Sequence, residues 1–193
     1  MKILEEIKTH PANSKLAMII RHADRDKIPD GSFGNEILLN KKGIDNSILL
    51  GGSLKEHKIT RIFTSPVPRC VQTATFLKEG YGQNITFHQT KALGDPGLHI
   101  ADDKLAGEFF LQYSFDEMYK RFMLGEAIPG VPSAQAFEKS MTEFIRQNTN
   151  ENGLTIFITH DSLIAFYHYC LNKVVYTKDN WVKYLSGIIL KIE

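Results

Sequence analysis

The sequence predicts a three-layer α/β/α sandwich with a mostly parallel central sheet, and three observations carry that prediction. Short apolar runs rich in β-branched and aromatic residues recur far apart, at residues 16–20, 61–64 and 154–159. Each has the length and composition of a strand buried on both faces. Helical apolar spacing fills the intervals between them, and strands alternating with helices build a parallel sheet covered on both sides. One stretch, residues 95–131, breaks the alternation and reads as a small helical insertion over one end of the sheet.

Taken in order, the first strand is Leu16-Ala17-Met18-Ile19-Ile20. Residues 41–55 follow with Ile44, Ile48, Leu49 and Leu54 at near-helical spacing. The second strand, Arg61-Ile62-Phe63-Thr64, leads to a helix over 68–77, with Pro68 near its start and Val71, Ala74 and Phe76 near one side. The insertion is flanked by Gly97, Gly125, Pro129 and Gly130. Ser133 is a suitable N-cap for a helix over 134–147, whose Phe137, Met141, Phe144 and Ile145 form an apolar stripe. The third strand, residues 154–159, runs into a helix over 161–170, and residues 184–192 read as a closing strand. Without repeats or low-complexity tracts, residues 1–193 read as a single domain in which 95–131 caps a pocket or extends the packing.

Composition narrows the function classes. A net charge of +1 gives no general attraction to nucleic acid or membranes, so any anion site must be local. No stretch approaches the roughly 20 apolar residues that cross a bilayer. Glu5 and Glu6 interrupt the N-terminal apolar residues, unlike a secretory signal, so the chain reads as cytoplasmic. Cys70 and Cys170 make neither a disulfide framework nor a metal knuckle.

The chemistry lies where the strands end. The first runs into Arg21-His22-Ala23-Asp24-Arg25, the second into Ser65-Pro66-Val67-Pro68-Arg69, and the third into His160-Asp161. Ligands of open α/β sheets bind beyond the carboxyl ends of the strands, so three strand ends deliver these groups to one edge. Guanidinium groups match phosphate oxygens and stabilise a transferring phosphoryl group. A histidine among them can act as nucleophile, and a nearby carboxylic acid can protonate the leaving oxygen. Alone, each piece has a plain reading: Arg69 a helix-surface charge, Asp161 an N-cap, Asp95 a turn residue before proline.

Other phosphate chemistries fit less well. A cysteine phosphatase loop would need arginine six positions past Cys70, where Phe76 stands, and no Gly-rich Lys-Ser/Thr loop is present. His10, His57, His88, His99 and His168 have no metal-ligand spacing, and His99 is expected at the surface, with the pocket mouth as the alternative.

Together these residues resemble the histidine phosphatase superfamily. Ile19-Ile20-Arg21-His22-Ala23 is similar to its Arg-His-Gly signature, with alanine for glycine. Leu39-Asn40-Lys41-Lys42-Gly43 resembles its Leu-Thr-x-x-Gly element. Thr64-Ser65-Pro66-Val67-Pro68-Arg69-Cys70-Val71-Gln72-Thr73-Ala74 resembles its Ser-Ser-Pro-x-x-Arg-x-x-x-Thr-Ala, and Thr159-His160-Asp161 its second histidine motif. The resemblance implies that His22 becomes phosphohistidine, that Arg21, Arg25, Arg69 and His160 bind the phosphoryl oxygens, and that no metal or organic cofactor takes part. It offers two proton donors: Asp161, by the acid-phosphatase branch, and Asp95, by the mutase-like branch.

The resulting expectation is a phosphatase acting on a phosphorylated small molecule or phosphoprotein. Its rivals are a phosphomutase using the same phosphohistidine and a non-catalytic phosphate-binding module. No stretch matches the Gly-x-Trp-Glu-Gly of the phosphoglycerate mutases. Specificity is expected from residues 95–131 and 26–38; substrate and oligomeric state carry no readable code.

Overall fold

The computed structural model describes residues 2–11, 13–29 and 34–193, so residues 30–33 of the 26–38 segment lie outside the described residues. The five strands are β1 (Lys15–Arg21), β2 (Ile59–Thr64), β3 (Phe87–Gln89), β4 (Gly153–Thr159) and β5 (Gly187–Lys191). They form one sheet in the order β3-β2-β4-β1-β5. Only β5 is antiparallel to its neighbour, in agreement with a mostly parallel sheet.

Six α-helices accompany the sheet: α1 (Lys2–Ile7), α2 (Lys41–Ser53), α3 (Pro68–Tyr81), α4 (Asp103–Leu124), α5 (Ala134–Asn148) and α6 (Asp161–Asn172). Side chains alternate across a strand, and the two cores sort accordingly. Leu16, Met18 and Ile20 of β1 join Ile156 and Ile158 of β4 in a core with Ile3, Leu50 and Leu77 from α1, α2 and α3. Ala17 and Ile19 face the other way and meet Phe157, Phe137 and Phe166, on the side of α4, α5 and α6. This two-sided burial explains why β1 and β4 are apolar without interruption.

Helix ends follow the expected chemistry. Ser133 caps α5 by accepting from the Ala136 amide, and Pro68 opens α3. Helices α2 and α3 approach so closely that a Cβ at Gly51 would strike the Leu77 carbonyl and one at Gly80 the Ile48 carbonyl. That packing fixes the height of α3, and with it Arg69. The 95–131 segment is helical as expected, but Ser114, at φ 74° and ψ 163°, divides α4 into two rods. Helix α1 and the three-residue edge strand β3 were not anticipated. No helix among the described residues is long and apolar enough to cross a membrane.

Candidate active site

The strands ending in the predicted residues, β2, β4 and β1, are neighbours, so sheet pairing brings their ends together. The register carries beyond them: the His22 amide donates to the Thr159 carbonyl at 2.9 Å, and the Ser65 amide to the Ile158 carbonyl at 3.0 Å. A pocket of about 800 Å³ opens above, lined by His22, Arg25, Arg69, Asp95, His160 and Asp161 together with cap residues and Trp181. Six of the seven predicted residues therefore share one pocket. Arg21 lines a second hollow, which shares Trp181 with the first.

His22 is fully buried and its tautomer follows from its partners. Nδ1 lies 2.8 Å from the Ala23 carbonyl, which can only accept, so Nδ1 carries the hydrogen. Nε2 then holds a lone pair, and accepts from Arg69 Nε at 3.0 Å. Burial, then His160 and Arg69, hold the His22 pKa well below its ordinary value, so the ring is neutral at neutral pH. Thr73 sets the surrounding backbone: its hydroxyl accepts from the Ala23 amide at 3.0 Å and donates to the Arg69 carbonyl at 2.7 Å.

Arg69 is buried rather than a surface charge. Besides His22 it donates to the Gly34 carbonyl at 2.6 Å and to His160 Nδ1 at 3.3 Å. Arginine has no acceptor, so neutral His160 carries its hydrogen on Nε2, 3.0 Å from the Ser65 hydroxyl. Burial, then Arg69, pushes the His160 pKa down to about 3. Gly94 permits this arrangement, because a Cβ there would lie 2.5 Å from both His160 Nε2 and Ser65 Oγ.

Asp161 is enclosed by donors. Its Oδ2 takes Arg21 Nη2 at 2.8 Å and Trp181 Nε1 at 3.0 Å, and its Oδ1 the Ser162 amide at 3.0 Å. Burial pushes its pKa up, but Arg21, then Trp181 and His160, outweigh burial and leave it below the ordinary value. The N-cap of α6 is His160, and Asp161 is the first helical residue. Arg21 also donates to the Val182 carbonyl at 2.6 Å and lies 4.1 Å from the centre of the Tyr184 ring. Asp95 sits at φ 66° in the turn after β3, its side chain 48% exposed and 3.8 Å from Lys91.

Arg25 donates to the Asp26 carbonyl at 2.7 Å. Buried polar atoms without partners are rare in folded proteins. Among the described residues they include Arg21 Nε and Arg25 Nε, two guanidinium N–H groups on the residue before His22 and on the third residue after it. An oxyanion satisfies donors of that kind.

One expectation is corrected. His99 is not at the surface: it is 6% exposed, lines the pocket, and packs against Phe137 and Phe166. Its Nε2 is 3.2 Å from the Ser162 hydroxyl, and burial lowers its pKa to about 4. Sequence reasoning also missed Trp181 and Tyr184, which hold Asp161 and Arg21; a lone tryptophan outside any periodic segment was the only signal. Cys70 is buried, with its thiol pushed up to about 12, which removes it as a nucleophile. Among the described residues no group of three or more His, Cys, Asp and Glu is placed to hold a metal ion.

The family model of the histidine phosphatase superfamily (branch 1) matches residues 17–182. A 2,3-bisphosphoglycerate-dependent phosphoglycerate mutase from Thermoplasma acidophilum is 23% identical over 155 residues, covering 78% of this chain and 72% of its own. Among solved structures, a phosphoglycerate mutase from Bacillus anthracis superposes with a TM-score of 0.60 at 17% identity, over 93% of this chain and 90% of its own. A phosphoserine phosphatase from Entamoeba histolytica gives 0.52 at 18% identity, over 82% and 80%. With the signature residues gathered at one sheet edge and the family model matching most of its length, this chain belongs to the histidine phosphatase superfamily.

Proposed function

We propose that the protein hydrolyses a phosphomonoester through a phosphohistidine on His22. The observation that carries this reading is the His22 tautomer, with Nδ1–H held by the Ala23 carbonyl and a lone pair on Nε2 beside Arg69. A neutral imidazole oriented in this way is a competent nucleophile without deprotonation.

A bound phosphoryl group takes over the guanidinium N–H groups now spent on His22 and His160, and draws on the unpartnered Arg21 Nε and Arg25 Nε. This exchange frees His22 Nε2 to attack phosphorus in line with the leaving oxygen. The Ser65 hydroxyl can donate as well as accept, so His160 can shift its hydrogen to Nδ1 and turn it on the same anion. The P–O bond breaks as N–P forms, and a carboxylic acid gives its proton to the departing alkoxide. The resulting carboxylate then takes a proton from water as water attacks the phosphohistidine, releasing phosphate and restoring neutral His22.

Asp95 suits that acid role better than Asp161. Both Asp161 oxygens are engaged by donors, and its pKa is lowered, which favours a fixed carboxylate partner for Arg21. Asp95 faces the same pocket with a half-exposed side chain. A mutase reading, in which the phosphohistidine passes its phosphate to another hydroxyl, is favoured by the Thermoplasma acidophilum relative. Product analysis separates the two: free phosphate from water attack, or an isomeric ester with little free phosphate. The test of the shared mechanism is hydrolysis of 4-nitrophenyl phosphate in EDTA by wild type and His22→Ala, with trapping of an acid-labile phosphoenzyme. Full activity in His22→Ala would overturn it.

A further inference from the structure

The phosphoryl cradle occupies one end of the pocket, and the remaining wall has a different character. A volume of about 800 Å³ is in the range of small-molecule sites and far exceeds a phosphate. Beyond His22 and Arg69 the lining includes Asn35, His99 and Ser162 together with an apolar and aromatic set, Ile100, Phe110, Phe115, Met118 and Trp181. Phe115 and Trp181 stand edge to face with centroids 5.4 Å apart. Apart from Arg25, Arg69, Asp95 and Asp161, discussed above with the phosphoryl group, the charged lining residues are Asp103, Asp116 and Lys178. Lys178 is the one lysine among the described lining residues, and its Nζ is held by Asp116 at 2.8 Å. With Arg25 given to the phosphoryl group, a carboxylate on the substrate would meet two aspartates and one solvent-exposed lysine already paired with Asp116, whereas an aromatic ring would meet aromatic edges.

We infer that the pocket takes phosphomonoesters of aromatic alcohols and discriminates against carboxylate-bearing ones. The inference rests on the hydrolase reading above and names its substrate class.

The test compares kcat/KM for benzyl phosphate and 3-phosphoglycerate, whose leaving alcohols are of similar basicity, so the ratio reports the wall. Wild type should favour benzyl phosphate by about tenfold or more. Phe110→Leu and Phe115→Leu should each raise KM for benzyl phosphate about three- to tenfold and leave 3-phosphoglycerate nearly unchanged. Asp116→Asn, which releases Lys178, should raise kcat/KM for 3-phosphoglycerate several-fold. Preference for 3-phosphoglycerate, or equal losses on both substrates in the phenylalanine variants, overturns the inference while hydrolysis stands. If neither ester releases phosphate or labels His22, the hydrolase reading falls and this inference with it.

Discussion

Replacing Asp95 by asparagine removes a proton without changing the size of the side chain, and its effect should depend on the leaving group. A positioned general acid contributes about 10²- to 10⁴-fold, which at about 1.36 kcal/mol per decade is about 2.7–5.4 kcal/mol of barrier. That factor applies only where the departing oxygen needs a proton. Asp95→Asn should therefore lower kcat/KM for benzyl phosphate by about 100-fold or more, and for 4-nitrophenyl phosphate, whose phenolate leaves readily, by less than about tenfold. Asp161→Asn perturbs something else. It discharges an ion pair with Arg21 at 2.8 Å whose side chains are 9% and 27% exposed, leaving the guanidinium beside a neutral amide. Loss of one charge from so enclosed a pair costs about 1–3 kcal/mol of stability. Its kinetic loss should be similar for both esters, because a misplaced guanidinium affects every phosphoryl group alike. Steady-state kinetics with the two esters and the two variants decide the matter. A leaving-group-dependent loss in Asp161→Asn, with a uniform loss in Asp95→Asn, would refute the assignment.

Two further outcomes follow from the buried polar groups. His22, His99 and His160 all have lowered pKa values, near 4 for His99 and near 3 for His160, whereas in the unfolded chain they titrate near about 6.5. The unfolded state thus binds more protons below that pH, so stability is fully present above about 6.5 and is lost as pH falls toward the folded values, at up to about 1.4 kcal/mol per pH unit for each histidine. Urea unfolding should be easier at about pH 5 than at about pH 7.5 by about 2 kcal/mol or more, with a smaller drop in His99→Phe; a flat profile contradicts the burial argument. Thr73→Val leaves the Ala23 amide without its acceptor and should cost about 1–3 kcal/mol. It should also lower phosphoenzyme formation, since Ala23 holds His22; unchanged denaturation and labelling would count against that link.

The parts of the fold visible in the sequence are those in which local pattern and burial coincide. Strands β1 and β4 are covered on both faces, so their apolar runs are continuous, and the polar residues that follow them mark the sheet edge. For the same reason His22, Arg69 and His160 could be placed together before any contact was known. β3 was missed because three residues with a mostly exposed pattern carry no periodic signal. The burial of His99, which lies in a turn, was missed because it depends on Phe137 of α5 and Phe166 of α6. Asp161 illustrates the limit most clearly. An aspartate at a helix start reads equally well as an acid or a cap, and only the approach of Arg21 and Trp181 reveals a third role as their shared acceptor.

The strand order carries a consequence for how the molecule comes to exist. β1 and β2 do not pair with each other; β4, made nearly a hundred residues after β2, slots between them. A growing chain that has not reached β4 holds His22 on one unpaired edge and Arg69 behind another, with nothing to draw them together. Such non-local pairing is paid for in chain entropy before it returns any contact. The pocket is thus absent from the nascent polypeptide by topology alone, and assembles only once β4 has joined β1 to β2.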